Sequence, residues 1–462
     1  MANFVRLANT GGHQLLYHPA TIEDFQRDSD IERRNRNLQR VTQYTKLDNP
    51  APCPWNTSVT SANDACDNEI LYALACDAAH ALVTEDKGIH ANALTRGLQS
   101  RVYSIQTAED WLKRLHEPTA IHLPNIEDLP LHRIIPTLDQ PFFDSLREGY
   151  GGFNDWFREK ARENRRAWTY CDESKNLTAL CIYTIQTNEK INEDGEILQG
   201  NSLKLCTFKV AEEARGKKIG ELFLKASFKY ATENRCEFIF IHANSIKHNF
   251  LIRLLEDFGF EAQGSYKGDQ VLVKKHPINP PKNQDLEPLE YAKLYFPHFR
   301  SDSEIQKFIV PIKPAFHAIL LPDFKAQQGQ LFNNSSNIGN AIKLAYLCHA
   351  QTKSIQEGDI LLFYRTEDEK VLTSIAVVDK FQVLADASKI ASMVSRRTVY
   401  SQSEIEAMAE KETRVILFRL IRHLKHPIPY SNLQSQCHIQ GPFQSIRKIN
   451  DDQFKKILQS ER

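Results

Sequence analysis

The hydrophobic pattern is sharpest between residues 203 and 260. In LKLCTFKV, Leu203, Leu205, Thr207 and Lys209 alternate with Lys204, Cys206, Phe208 and Val210, the two-residue period of a strand. The chain then turns through AEEARGKKIG into ELFLKASFKYATENR, whose apolar residues recur at helical spacing. CEFIFIHAN predicts a second strand, and KHNFLIRLLEDFGF a short helix closed by Gly259. Before this stretch, residues 70–78 place Ile70, Leu71, Leu74, Ala75 and Ala78 on one helical face. Residues 81–84 and 101–105 are strand candidates, and Thr107 opens a capping-box pattern before WLKRL. Residues 168–170 and 177–186 form a hairpin-like pair. After it, the pattern predicts a strand at 318–321, a helix at 341–351, and a Gly358-Asp359 turn into the strand ILLFYRT. The strand SIAVVDKFQVL, the helix EIEAMAEK and the strand VILFRLI follow.

Length and charge narrow the setting. With 462 residues the chain exceeds one ordinary core, and about three domains are expected. Proline-punctuated linkers at 116–139 and 276–314 cut it into 1–115, 140–275 and 315–462. Lys plus Arg and Asp plus Glu number 58 each, so no global field steers the chain to nucleic acid or membrane, and any such binding must use local patches. No apolar run reaches the ~18 residues of a membrane span. The first residues, MANFVRLANTGG, lack the apolar core of a secretion signal. Nine cysteines stand singly, which reads as reduced thiols in a cytoplasmic protein.

The basic turn carries candidate chemistry. Arg215, Gly216, Lys217, Lys218, Ile219 and Gly220 sit between a strand and a helix start. A helix N-terminus has backbone N–H groups without intrahelical partners and favours anions, and glycine lets backbone approach a phosphate. Strand, basic turn, amphipathic helix, strand and a short helix ending in Phe258-Gly259-Phe260 resemble the acyl-CoA core of the GNAT acetyltransferases, over about residues 140–275. Arg215 and Gly220 match the family's turn, while Lys218 stands where its middle glycine is usual. The resemblance implies acetyl-CoA as cofactor, with Phe208, Lys209 and Val210 offering backbone contacts to the pantetheine and residues 215–220 holding the diphosphate. It implies direct attack by a neutral amine on the thioester. Asn249 matches a family position, but Leu255 replaces the tyrosine that protonates the thiolate. Asn249 and Tyr266 are the expected catalytic pair, with Tyr266, His242 and His248 as groups that could stand in for the missing tyrosine.

Two weaker resemblances flank it. Helix, a strand ending in LVTEDKG, then the strand RVYSI resemble the C-terminal half of a PIN domain, an α/β ribonuclease fold. That implies a carboxylate site of Glu23, Asp67 and Asp86 for Mg²⁺ or Mn²⁺. The family's opening strand and its first aspartate have no counterpart, because Met1 falls where the following helix would already run. After residue 315, a helix followed by GDILLFYR and a second strand pair resembles the ASCH/EVE members of the PUA-like superfamily, small β-barrels that bind RNA. Lys343, Arg365, Arg396, Arg397 and Tyr400 would line such a cleft, cations meeting phosphate and the ring stacking a base.

The whole reads as a multi-domain α/β and α+β chain: a PIN-like remnant, a GNAT core and a PUA-like barrel. The expected activity is acetyl transfer to an amine, RNA-linked as in aminoacyl-tRNA, with a toxin or defence role. The alternatives are a metal-dependent ribonuclease whose GNAT module senses acetyl-CoA, and a non-catalytic RNA-binding regulator.

Overall fold

The structure is a computed structural model and describes residues 2–55, 61–116, 126–172, 174–214, 217–245, 248–282, 285–324, 341–394, 397 and 400–461. The chain divides into two compact units, Met1–Ala120 with Leu384–Val415, and Ile121–Val383 with Ile416–Arg462.

In the first unit, α1 (Ala2–Thr10) packs on α6 (Ile105–His116), and α2 (Pro19–Gln26) on α4 (Ala62–Ala75). The helix α3 (Ile31–Val41) is capped by Asp30, and α5 (Lys87–Thr95) by Asp86, whose Oδ1 accepts the Gly88 and Ile89 N–H groups. Strand β1 (Leu16–Tyr17) pairs in parallel with β2 (Thr45–Lys46), and β3 (Leu82–Val83) with β4 (Val102–Tyr103). The PIN-like expectation calls for one parallel sheet. Among the described residues these are two separate ladders. β1 and β2 are half-buried or exposed throughout, so they present no apolar face for a third strand to cover. The expected cap at Thr107 lies one turn earlier: the Ser104 hydroxyl oxygen accepts the Thr107 N–H at 3.2 Å. The helix expected from EIEAMAEK, Gln402–Ala409, belongs to this unit with Ala387–Val394, whose Ser392 hydroxyl donates to the His80 carbonyl.

The second unit holds two sheets. The first is seven-stranded, in the order β10-β11-β9-β8-β7-β6-β5. Its strands are β5 (Glu127–Pro130), β6 (Arg166–Cys171), β7 (Leu177–Lys190), β8 (Ile197–Val210), β9 (Phe238–Ala243), β10 (Glu261–Tyr266) and β11 (Asp269–Lys275). Every pair is antiparallel except β8 with β9. The helices α7 (Asp144–Gly149) and α8 (Phe153–Arg162) cover one face, with Phe143, Phe153 and Phe157 against Leu180 and Ile182. On the other lies α9 (Ile219–Glu233), burying Leu222, Phe223 and Ala226 against Leu205, Ile239 and Ile241. The helix α10 (Asn249–Asp257) follows β9.

The second sheet is six-stranded, in the order β13-β16-β15-β14-β12-β17. It consists of β12 (Lys307–Ile312), β13 (Lys343–Cys348), β14 (Ile360–Arg365), β15 (Val371–Leu384), β16 (Thr413–Pro429) and β17 (Arg447–Ile449). Among the described residues β13 and β17 end this ladder, so the expected barrel is an open sheet. The helix α11 (Pro288–Leu294) precedes it, and α12 (Pro314–Leu320) follows β12.

Two local expectations fail here. Residues 318–321 close α12, because Pro314 at the first helical position pre-sets its start. The helix expected at 341–351 is β13, whose Leu344 to Leu347 are buried on both faces, a pattern that helix and central strand share. Ile342, Val377 and Ile421 pack in one apolar cluster with Leu222, Ile241 and Leu255, so the core runs on through the linker at 276–314.

Candidate active site

The parallel pairing of β8 with β9 runs only from Ser202↔Phe238 to Leu205↔Ile241. Strand β8 continues to Val210, paired with β7 through Ala179↔Val210, and β9 continues to Ala243. Past Leu205 the two strands therefore part, and the β8 edge at 206–210 turns backbone polar groups into the opening. Such groups are obligatory hydrogen-bonding sites and invite an extended ligand. Phe208 and Val210 direct their side chains to the α9 core, where the Phe208 ring meets Phe223 at 5.5 Å in an edge-to-face contact. Lys209 faces the other way. Its Nζ donates to Ser145 Oγ at 2.6 Å and to the Phe142 carbonyl.

At the mouth of this opening sits the start of α9. Lys218 is its N-cap and takes φ +59°, a left-handed conformation that glycine adopts without strain. The backbone demand is met by a lysine, at a cost of ~1–2 kcal/mol. Lys218 Nζ donates to the Lys343 carbonyl at 2.7 Å. Glu221, buried in the first turn, accepts the Lys343 N–H. The side chain of Ile219 is core. Gly220 serves helix packing: a Cβ there would lie 2.8 Å from Leu254 Cδ2 of α10. Lys217 is exposed, 6.0 Å from the Tyr170 ring centroid. Arg215 and Gly216 lie outside the described residues.

Of the expected catalytic pair, Asn249 begins α10 and its Oδ1 accepts Arg253 Nε–H at 3.1 Å. Tyr266 ends β10, its ring 5.0 Å from that of His242 at the end of β9. Leu255 is 0 % exposed in the core, so a tyrosine there would have no opening to act in. His248 is engaged locally, its Nδ1 accepting the Asn244 N–H at 3.3 Å.

The carboxylates expected to hold Mg²⁺ or Mn²⁺ come together in part. Asp67 and Asp86 both approach Gly88, where a Cβ would lie 3.5 Å and 3.0 Å from their oxygens. Burial, then Asp86, Asp24 and Asp64, push the Asp67 carboxyl up to about 6. The acid of α2 that acts on Asp67 is Asp24, while Glu23 is exposed. Among the described residues no three His, Cys, Asp or Glu side chains are grouped to hold a metal, so the expected set of Glu23, Asp67 and Asp86 does not form. Asp86 is also spent as the cap of α5.

The expected RNA-facing residues are dispersed. Lys343 pairs with Asp257, and Arg365, 3 % exposed, pairs with Asp368 and lies beside His317. Arg397 and the buried Tyr400 belong to the other compact unit, and Arg396 lies outside the described residues.

The pattern along the chain missed an ionic core. Arg419, 1 % exposed, donates to Asp379 at 2.7 Å and to Asp257 Oδ1 and its carbonyl at 3.1 Å each. Burial pushes the Asp257 carboxyl up, but Lys343 and Arg419 outweigh it and hold the group below the usual carboxylate range. Tyr150, Asn244 and Asp269 also escaped, since they meet only through strand register and a hydroxyl from the connection between α7 and α8.

No family model matches the chain, and no curated protein matches it. Solved structures similar to part of it include the ASCH protein of Zymomonas mobilis, 15% identical at a TM-score of 0.26 over 33% of this chain and 94% of that chain. A second is the PaiA N-acetyltransferase of Thermoplasma acidophilum in complex with coenzyme A, 17% identical at a TM-score of 0.25 over 33% of this chain and 99% of that chain. A third is Arabidopsis thaliana NAA60 in complex with acetyl-CoA, 18% identical at a TM-score of 0.24 over 32% of this chain and 99% of that chain.

Proposed function

We propose that the second unit binds acetyl-CoA between β8 and β9 and transfers the acetyl group to an amine. The observation that carries this is the parting of β8 from β9 past Leu205, beside the N-terminus of α9. The pantetheine would pair with the β8 edge at 206–210. Its diphosphate would meet the free N–H groups of α9 and the cations at Arg215 and Lys217. In the transfer, the amine nitrogen attacks the thioester carbonyl carbon, the C–N bond forms and the C–S bond breaks. A backbone N–H of the β8 edge would stabilise the oxyanion. The amine loses one proton and the departing thiolate gains one.

An RNA-linked acceptor such as aminoacyl-tRNA would need cations free for phosphate, and Lys343 and Arg365 are committed to carboxylates. The toxin or defence role rests on that acceptor and has no further support. A ribonuclease would need a third carboxylate beside Asp67 and Asp86. Titration calorimetry of the full chain with coenzyme A tests the proposal. The double variant Arg215→Ala, Lys217→Ala should bind at least tenfold more weakly, since each charge-assisted contact contributes roughly 1.5–3 kcal/mol. Undetectable binding to the native chain, or equal affinity in the double variant, refutes it.

A further inference from the structure

A group of polar side chains gathers on the far edge of β9, the edge paired with β11, next to the point where β9 parts from β8. Asp269 begins β11 directly across from Tyr266 of β10. On its other flank, the β9–β11 register pairs Gln270 with Ala243 and Val271 with His242. One step further it sets Asn244 against Asp269, and Asn244 Nδ2 donates to Asp269 Oδ1 at 3.2 Å. The connection between α7 and α8 reaches over as well, with the Tyr150 hydroxyl donating to Asp269 Oδ2 at 3.4 Å. His242 lies opposite Val271, two residues from Asp269. Strand alternation puts His242 and Asp269 on one face, as diagonal neighbours roughly 7–8 Å apart. Two separate elements thus converge on one carboxylate at the end of β9, where that strand has parted from β8.

His242 is held in a defined tautomer. Its Nε2 lies 3.1 Å from the Ile191 carbonyl, which can only accept, so Nε2 carries the hydrogen. In the neutral ring Nδ1 then carries the lone pair. The groups facing the imidazole are the Lys204 ammonium from β8, the Asp269 carboxylate from β11, the Tyr266 ring from β10 and Phe240 from its own strand. Lys204 is itself paired with Glu189 at 3.7 Å.

We propose that these groups form the acceptor subsite of the acetyl transfer: Asp269 seats the ammonium of an α-amine, and His242 Nδ1 takes its proton. The inference rests on the acyl-CoA reading above. The step balances: the ammonium gives one proton to Nδ1, which passes it to solvent, and the freed neutral amine attacks the thioester carbon; as the C–N bond forms and the C–S bond breaks, the second N–H proton passes through Nδ1 to the departing thiolate. Asn244 and Tyr150 are positioning residues for Asp269. The class of amine follows from proton affinity. Burial first, then Lys204, hold His242 below its ordinary value, against the opposing pull of Asp269. Such a base removes a proton from an α-ammonium near ~8 far more readily than from an alkylammonium near ~10.4.

The test uses the full chain, acetyl-CoA and glycinamide, with thiol release followed by a chromogenic disulfide. In the native chain kcat/KM should rise with pH through a midpoint below 6.5. Asp269→Asn should raise KM for glycinamide about tenfold or more, with coenzyme A affinity unchanged by calorimetry. His242→Gln keeps a donor for the Ile191 carbonyl and should lower kcat roughly 10²-fold or more while removing that limb of the profile. Unchanged coenzyme A affinity shows that the variants are folded. Tight coenzyme A binding with no transfer to glycinamide, or with transfer indifferent to both substitutions, overturns the subsite and leaves the acyl-CoA reading standing. Absence of coenzyme A binding overturns both.

Discussion

Replacing Arg419 by methionine tests whether the ionic core joins the two sheets of the second unit. The side chain donates to Asp379, to Asp257 Oδ1 and to the Asp257 carbonyl. Three charge-assisted bonds would naively add ~4.5–9 kcal/mol. Bringing a guanidinium to 1 % exposure costs several kcal/mol in return, so the intact network is close to neutral against a well-packed apolar one. The variant is different, because it takes the guanidinium away from Asp379, itself 8 % exposed, and from Asp257, which keeps its pair with Lys343. Breaking a buried pair from one side costs about 3–5 kcal/mol, roughly 10²- to 10⁴-fold in the unfolding constant.

Urea unfolding followed by circular dichroism measures this loss, and the double variant Arg419→Met, Asp379→Asn should recover part of it. The pH dependence has a defined sign. Asp257 has a depressed folded pKa, so its contribution is present above its unfolded value near ~3.9 and fades as pH falls through the folded one. Loss of Arg419 weakens that depression. The stability gap between native and variant chains should therefore narrow on acidification below pH ~4. A variant within ~1 kcal/mol of the native chain at pH 7, or a gap that widens in acid, would refute the reasoning.

Other outcomes follow from single sites. Lys218→Gly removes left-handed strain but also the bond to the Lys343 carbonyl, so coenzyme A affinity by calorimetry should hold or rise, and a tenfold loss would mean that the ammonium contacts the cofactor. Leu255→Tyr should lower the melting temperature by overpacking, at about 1–3 kcal/mol, with no gain in kcat. In a competition of glycinamide with an Nα-acetyl-lysine amide, mass spectrometry should find the acetyl group on glycinamide. Little Mn²⁺-dependent RNA cleavage is expected in a gel assay, and efficient cleavage lost in Asp86→Asn would reinstate the metal site.

What could be read along the chain was local. Strand, turn, helix and strand from 203 to 243 are each signalled within a few residues, and the structure has β8, α9 and β9 there. The turn's odd lysine was visible too. Its left-handed conformation was not, since φ depends on the helix that Lys218 caps. Residues 341–351 show the limit of periodicity: an apolar run buried on both sides looks alike as strand and as helix, and neighbouring strands decide. The cuts at prolines carry a related limit, because a linker's composition says nothing about whether the cores on either side fuse. Ile342 and Ile421 meet Leu255 through long-range packing alone.

The same distinction governs the site. The proposed cofactor side lies on one continuous stretch, so its candidate residues could be named from spacing. The proposed acceptor side is assembled from residue 150, residues 242 and 244, and residues 266 and 269, joined by antiparallel register and one hydroxyl. Leu255 links the two. Along the chain it marks a missing proton donor, and in the structure it explains the absence, since position 255 faces the core between α9 and α10. Under the proposed transfer, proton transfer falls to the end of β9, where His242 keeps Nδ1 free of a hydrogen because the Ile191 carbonyl claims Nε2–H.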